Sequence, residues 1–488
     1  MLADGGRESP CLAESEDVGS RLGFASIFRL RCGLQGVWSV PTILVRNVAI
    51  VTMDSRRRII ERGSILVEGN RIRSVAGDLE GLDEADADRV IDGSGKVVIP
   101  GFIQTHVHLC QSLFRGASDD MELMDWLRSR TWPLEAAHDE ESTYYSALLG
   151  IAELLRGGTT SIVDMESVNH ADSAFHAIEQ SGIRAISGKA MMDWGDDVPE
   201  ALSESTERSI AESVELADKW DGAAGGRIRY AFTPRFAVSC SDRLLREVAE
   251  IARARHARIH THSSENLGEI EVVERERGKR NVIYLDDVGL LGPQTIIAHC
   301  IHLNEDELNV LARTRSNVAH CPSSNLKLAS GIARVPEMLD MGINVGLGAD
   351  GAGGNNNLDQ FIEMRLATLI QKPRMGPTAM PAQTVLEMAT IRGAVSMGME
   401  DDAGSIEEGK LADLVMLDLR KPHASPGAGV DLVSRIVYSA HSSDVVMTMV
   451  DGEILYEGER LVRMDEEEVL ARCDEAIERL SRRAGLRA

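Results

Sequence analysis

Between residues 100 and 370, short apolar runs alternate with stretches whose apolar positions recur at helical spacing. The first pattern fits strands buried on both faces and the second fits amphipathic helices, so together they predict repeated βα units around a parallel sheet. The opening run, Val97-Val98-Ile99, is broken by Pro100-Gly101 and re-enters an extended segment that ends in His106-Val107-His108. Further strands are expected over residues 160–164, 184–191, 227–233, 257–262, 295–299, 317–320 and 344–348, with helices over 144–156, 242–253, 267–276 and 305–314 among those between them. Eight strands in this rhythm predict an α/β fold, a closed (β/α)8 TIM barrel, whose reactive residues sit at the C-terminal ends of its strands.

The flanks read differently. Ile43-Leu44-Val45, Ala49-Ile50-Val51, Ser64-Ile65-Leu66-Val67 and Ile72-Arg73-Ser74-Val75 are short strand-like segments separated by Asn, Asp and Gly. After a helix expected over 381–397, residues 404–415 and 445–461 return to short strands and turns. Asp451-Gly452 is a hairpin signal, and its surroundings echo Val67-Glu68-Gly69-Asn70-Arg71-Ile72. Both chain ends are therefore expected to build one small domain. The expected division is an N-terminal arm (1–41), a composite β-sandwich (42–98 with 400–462), the barrel (99–399) and a charged C-terminal helix (463–488) forming a solvated cap.

A chain of 488 residues is long for one core, which agrees with a barrel plus a second domain. The net charge of −25 argues against nucleic acid or an anionic membrane surface as partner. No apolar stretch approaches the roughly 18 residues that cross a bilayer. Residues 1–41 lack the basic start and apolar stretch of a signal peptide. The seven cysteines are scattered and form no C-x-x-C pair, which fits free thiols in a reducing, cytoplasmic setting.

The chemistry begins with His106 and His108. Side chains at i and i+2 of a strand share a face, so the two imidazoles emerge together and suit one divalent ion. Other expected strand ends supply partners: His260-Thr261-His262 with Glu265 just beyond, Ala298-His299, and Gly348-Ala349-Asp350. The expected ligands are His106, His108, His262 and Asp350, on one ion, zinc or alternatively iron. Such an ion with an open position lowers the pKa of a water it binds towards about 7. Glu265 is placed to shuttle a proton, His299 to orient the attacking group and Asp350 to accept a proton. Gly346-Leu347-Gly348-Ala349-Asp350-Gly351 matches G-x-G-x-x-G but falls at the end of the eighth unit, where it opens no dinucleotide fold. Neither the H-x-E with P-C-x-x-C pattern nor a G-x-S-x-G elbow is present.

These residues resemble the amidohydrolase superfamily. The matching pieces are Pro100 to His108, His262-Ser263-Ser264-Glu265, Ala298-His299-Cys300 and Gly348-Ala349-Asp350. His320-Cys321-Pro322-Ser323-Ser324-Asn325-Leu326-Lys327-Leu328 and Asp350-Gly351-Ala352-Gly353-Gly354-Asn355-Asn356 are similar to its deaminase and chlorohydrolase branch, the S-adenosylhomocysteine/methylthioadenosine deaminases and s-triazine hydrolases. The resemblance implies a barrel with a composite β-sandwich and a hydrolytic loss of ammonia or chloride from a ring carbon. Binuclear relatives carry a lysine at the end of the fourth strand. Here that segment reads Thr233-Pro234-Arg235-Phe236, which implies a mononuclear site, and Lys189 falls on the third strand as a structural or substrate-facing residue.

Arg235 stands where adenosine-type members of the branch have histidine, and Thr233 to Ala237, with Gly188 to Asp193, resembles guanine deaminase instead. An arginine there suits a ring carbonyl, or it forms an ordinary ion pair. Glu135 matches the branch's position for contact with a ribose or ring substituent. Trp126 is expected as a pocket wall or a core residue. The resulting expectation is a homo-oligomeric (dimer or tetramer) cytoplasmic deaminase that converts an amino-substituted N-heterocycle, of purine, pterin or purine nucleoside type, to its oxo form. An s-triazine hydrolase is the alternative, and a non-catalytic scaffold of the same fold is a further one that the intact ligand set argues against.

Overall fold

The computed structural model describes residues 40–77, 87–195 and 197–486. All but the last two residues of the expected N-terminal arm lie outside this set.

Eight parallel strands close a barrel: β1 (Phe102–His108), β2 (Thr159–Asp164), β3 (Arg184–Ser187), β4 (Ile228–Pro234), β5 (Arg258–Ser263), β6 (Thr295–His299), β7 (Asn317–His320) and β8 (Val345–Leu347). Each pairs with the next, and β8 returns to β1 through Leu347 opposite Gln104. The strands are short because only a barrel's width of chain is buried on both faces. Ile103, Val163, Ile186, Ala231, Ile296 and Ala319, one from each of six strands, pack in one apolar layer with Ala394 and Met397. Those last two belong to the helix Ile391–Met397. The helix expected over 381–397 is thus two helices, Ala382–Ala389 and Ile391–Met397, broken at Thr390 (φ −131°, ψ −93°). The break redirects the second helix onto that layer.

Two other departures have local causes. The strand expected over 184–191 stops at Ser187 and resumes at Ala190–Met191. A Cβ on the intervening Gly188 would lie 2.0 Å from the carbonyl oxygen of Ala231 on β4, so only glycine fits where the two strands converge. The C-terminal helix, Glu466–Arg483, is not a solvated cap. Its buried residues Val469, Cys473, Ala476 and Leu480 recur at spacings of four and three, the stripe of an amphipathic helix. Arg472 and Arg479 pair with Glu141, and Arg483 with Asp139, fixing that stripe against the helix Glu140–Arg156.

Both chain ends join one nine-stranded sheet. Val97–Pro100 is its hinge, parallel to Thr42–Val51 on one side and antiparallel to Leu414–Leu417 on the other. The sheet is continuous and folds over its own core of Val45, Ile50, Ile65, Val98, Met416 and Met449. The two echoing hairpins meet: Asn70 donates to Asp451 at 3.2 Å. Pro100 then passes through Gly101 directly into β1, where a Cβ would come within 2.1 Å of Thr160 Oγ1. Two ion pairs of one arginine tie the sheet to the barrel. Buried Arg184, at the start of β3, donates to Asp413 Oδ2 at 2.8 Å and to Asp451 Oδ1 at 3.0 Å, while the Asp413 carbonyl accepts from Gly101 N at 2.9 Å. Five cysteines, Cys110, Cys240, Cys300, Cys321 and Cys473, are buried free thiols. Among the described residues, no helix is long and apolar enough to cross a membrane.

Removing one partner of a buried charge pair leaves the other uncompensated. Arg184→Met is expected to lower the unfolding free energy by about 3 kcal/mol or more, read as a fall in the urea midpoint. The Arg184→Met/Asp413→Asn double variant is expected to lose less than the sum of the two single losses.

Candidate active site

All of the residues singled out as metal ligands or proton carriers lie at the C-terminal end of the barrel. Their backbone is unusual. Ser264 after β5 (φ +55°), His299 and Cys300 at the end of β6 (φ +72° and +48°) and Asp350 after β8 (φ +64°) all occupy the left-handed region. Non-glycine residues there cost about 1–3 kcal/mol each unless the surroundings hold them. The register of β1 against β2 also shifts twice, between Phe102 and Ile103 and between Gln104 and Val107, a bulge of the kind that re-aims side chains. The rings of His106 and His108 lie 4.6 Å apart, and those of His106 and His262 lie 4.8 Å apart.

Three histidines have their tautomers set by what they touch. His108 Nδ1 lies 2.7 Å from the carbonyl oxygen of Met165, and His262 Nδ1 lies 2.7 Å from that of Arg235. A carbonyl only accepts, so each Nδ1 carries the proton and each Nε2 keeps its lone pair. The third ring uses a relay. His260 Nδ1 donates to the Ile296 carbonyl (3.2 Å), its Nε2 accepts from His106 Nδ1 (2.7 Å), and His106 Nε2 is left buried with no hydrogen-bond partner. Burial lowers all three pKa values, that of His108 to about 3 with His106 adding to the effect, so the rings are neutral. His108 Nε2 and His262 Nε2 then face each other at 3.2 Å, lone pair to lone pair. Asp350 Oδ1 stands 3.3 Å from His106 Nε2 and 3.5 Å from His108 Nε2. The ligand atoms of His106, His108 and His262 form one close group, and those of His106, His299 and Asp350 form a second. Lone pairs placed so closely repel one another unless a cation lies between them, and these donors suit a divalent transition metal.

Asp350 and Glu265 differ in proton affinity. Burial raises Asp350, but His106, His299 and His108 in their protonated forms outweigh it and hold the carboxyl well below the usual carboxylate range. Its Oδ2 accepts from Ser324 Oγ at 2.5 Å. Burial pushes Glu265 well above that range, with Asp350 and Glu269 adding like-charge repulsion. Glu265 Oε2 lies 3.5 Å from His299 Nε2, and His299 Nδ1 bonds Asn325 Oδ1 at 2.9 Å.

The expected substrate contacts meet each other. The terminal nitrogens of Arg235 engage both oxygens of Glu135, at 2.5 and 3.0 Å, and Gln111 Nε2 donates to Glu135 Oε1 at 2.9 Å. The ion-pair alternative for Arg235 is the one seen. Trp126 fills both of its expected roles: it lines the cavity and packs with Leu123, Leu127 and Phe236, its Nε1 donating to Ser118 Oγ at 2.9 Å. Lys189 is buried in a separate pair with Glu204 and Glu212. The cavity is lined by His108, His262, Glu265, His299 and Asp350 and by Leu123, Trp126 and Leu127, with Gln111, Arg235 and Phe236 completing it.

Sequence reasoning gave no role to several supports. His260 carries the relay to His106, and Ser324 holds Asp350. Glu269 accepts from the backbone of Ser264 (3.3 Å) and Glu265 (2.7 Å). Glu363 accepts from Ser323 N (3.1 Å) and from Asn355, whose amide also bonds the Ala349 carbonyl (2.8 Å). Asn266-Leu267-Gly268-Glu269 has the form of a helix-capping box, the one signal that marked Glu269 in advance. The glycines of the G-x-G-x-x-G match are explained by crowding: a Cβ on Gly348 would lie 2.6 Å from His106 O, and one on Gly351 would lie 2.1 Å from Gln111 Oε1.

Comparison with known proteins agrees with this geometry. Residues 97–455 match the model of the Amidohydrolase family. The chain is 40% identical to a 5-methylthioadenosine/S-adenosylhomocysteine deaminase of Syntrophomonas wolfei, over 90% of this chain and 99% of that protein. It is 43% identical to a 5'-deoxyadenosine deaminase of Methanothermobacter thermautotrophicus, over 86% of this chain and 96% of that one. Among solved structures, an adenosine deaminase from Xanthomonas campestris with bound zinc superposes with a TM-score of 0.83 at 31% identity, covering 90% of this chain and 98% of that one.

The buried Arg235–Glu135 pair generates a stability prediction. Arg235→Met is expected to destabilise the protein by about 3–5 kcal/mol, because Glu135 is left charged and buried. Arg235→Met/Glu135→Leu is expected to recover part of that loss in the same urea titration.

Proposed function

Because the chain belongs to the amidohydrolase family, we propose that it is a hydrolytic deaminase of a purine nucleoside of the 5'-substituted adenosine type. The observation that carries this reading is geometric: Glu265, 3.5 Å from His299 Nε2, shares one cavity with His108, His262 and Asp350. Burial pushes the Glu265 carboxyl up, which suits a proton donor at neutral pH. The named relatives support the substrate class.

We assign one zinc ion to His106, His108, His262 and Asp350. The orphaned Nε2 of His106, the close trio His106, His108 and His262, and Asp350 Oδ1 at 3.3 and 3.5 Å from the Nε2 atoms of His106 and His108 support it, and iron fits the same donors. When bound, such an ion supplies a Lewis acid and a water acidic enough to ionise near neutral pH. The chain's own residues do the rest. Glu265, protonated, donates to a ring nitrogen and makes the amine-bearing carbon electrophilic. Asp350 takes the proton of the attacking water, and His299 steadies the oxygen that adds to that carbon. A proton passed on to the amino group lets ammonia leave, and the ring carbon becomes a carbonyl. Leu123, Trp126 and Leu127 exclude bulk water. The reading includes a cytoplasmic location, supported by the five buried free thiols, and a dimer or tetramer.

The test is ammonia release by the zinc-loaded protein from 5'-deoxyadenosine, 5'-methylthioadenosine, S-adenosylhomocysteine, guanine and an amino-s-triazine. The adenosine derivatives are expected to be turned over fastest. Glu265→Gln is expected to lower kcat by about 10²-fold or more while retaining the metal. Chelation is expected to abolish activity and zinc to restore it. Faster turnover of guanine or the triazine overturns the substrate assignment, and a fully active Glu265→Gln overturns the acid–base roles.

A further inference from the structure

Glu269 is a buried carboxylate on the helix Leu267–Arg277 with no cation against it among the hydrogen-bond and ion-pair partners of the described residues. Every group that touches it donates. Its Oε2 accepts from the backbone N–H of Glu265 at 2.7 Å, and its Oε1 accepts from the backbone N–H of Ser264 at 3.3 Å and from the side-chain amide of Asn281. Burial raises its pKa, and the donors around it, which favour the ionised form, oppose that rise. A buried carboxyl held by neutral donors is expensive to keep, and carbon side chains of similar size would fill the space without that penalty.

What it holds is the turn that carries Glu265. Ser264 lies in the left-handed region, and its carbonyl accepts from Ile301 N (2.9 Å) and His302 N (3.0 Å) in the loop after β6. The Ser264–Glu265 peptide is therefore gripped on its carbonyl side by that loop, and its N–H is gripped by Glu269. Two points of attachment fix the direction in which the Glu265 side chain leaves the backbone.

We infer that Glu269 is a positioning residue for catalysis: its carboxylate locks the backbone of Ser264 and Glu265 and so aims the Glu265 carboxyl into the cavity beside His299. The inference rests on Glu265 acting as the proton donor proposed above. Glu269 touches neither the cavity nor the ligand histidines and acts through Glu265 alone.

The experiment uses the zinc-loaded enzyme and its fastest substrate from the panel above. Glu269→Gln is expected to lower kcat by about 30–100-fold, the scale of a small misplacement of a reacting group, with KM within about twofold and metal content unchanged. Asn281→Ala, which keeps Glu269 but removes one of its donors, is expected to lower kcat by about 3–10-fold in the same direction. In the Glu265→Gln background, Glu269→Gln is expected to cause no further loss, because residues acting as a unit are not additive. Amide hydrogen exchange of the peptide over residues 263–268 is expected to speed up in Glu269→Gln. Parental kcat in Glu269→Gln, or an equal loss with and without Glu265, overturns the inference. If Glu269→Gln does not fold, Asn281→Ala decides, and parental kcat there overturns it. A fully active Glu265→Gln defeats the proposed function itself, a failure distinct from that of Glu269.

Discussion

The arrangement depends on hydrogen bonds that have nothing to do with substrate. Backbone carbonyls of Met165, Arg235 and Ile296 accept from imidazole Nδ1 atoms, directly or through His260, and this turns three Nε2 lone pairs towards one point. Met165 and Arg235 directly follow β2 and β4, and Ile296 is paired within β6, so ring orientation is inherited from the pairing of the barrel strands. A side-chain acceptor in their place would bring its own rotamers and its own titration. A carbonyl brings neither, and the site is as rigid as the sheet.

The same strand ends carry the strained backbone. Ser264, His299, Cys300 and Asp350 take up left-handed conformations where β5, β6 and β8 run out, and each is flanked by groups that over-determine its position. Ser264 is held by Glu269 and by the amides of Ile301 and His302. The turn that holds Asp350 is fixed through Ser324, Asn355 and Glu363. Buried carboxyls on two outer helices thus anchor the turns that carry Glu265 and Asp350. The barrel interior supplies the imidazoles, and the helix layer stiffens the turns around them.

Much of this was legible in the chain, for identifiable reasons. Strands buried on both faces leave unbroken apolar runs, so the eight barrel strands were readable, and the i, i+2 spacing of His106 and His108 announced a shared face. The breaks at Gly188 and Thr390 were not readable, because the first depends on the Ala231 carbonyl of a neighbouring strand and the second on a helix turning beneath the barrel. The burial of the C-terminal helix was misjudged because its narrow stripe of Val469, Cys473, Ala476 and Leu480 is outnumbered by charges. The pairing of Arg235 with Glu135 spans 100 residues and leaves no local trace.

The cavity has two unlike sets of lining residues: His108, His262, Glu265, His299 and Asp350, and the apolar Leu123, Trp126 and Leu127. The apolar set comes from one short segment that carries none of those histidines or carboxyls, so its side chains can change in size without disturbing the strand ends. Shape selection and chemistry thus sit on separate stretches of chain, and one can vary while the other stays in place.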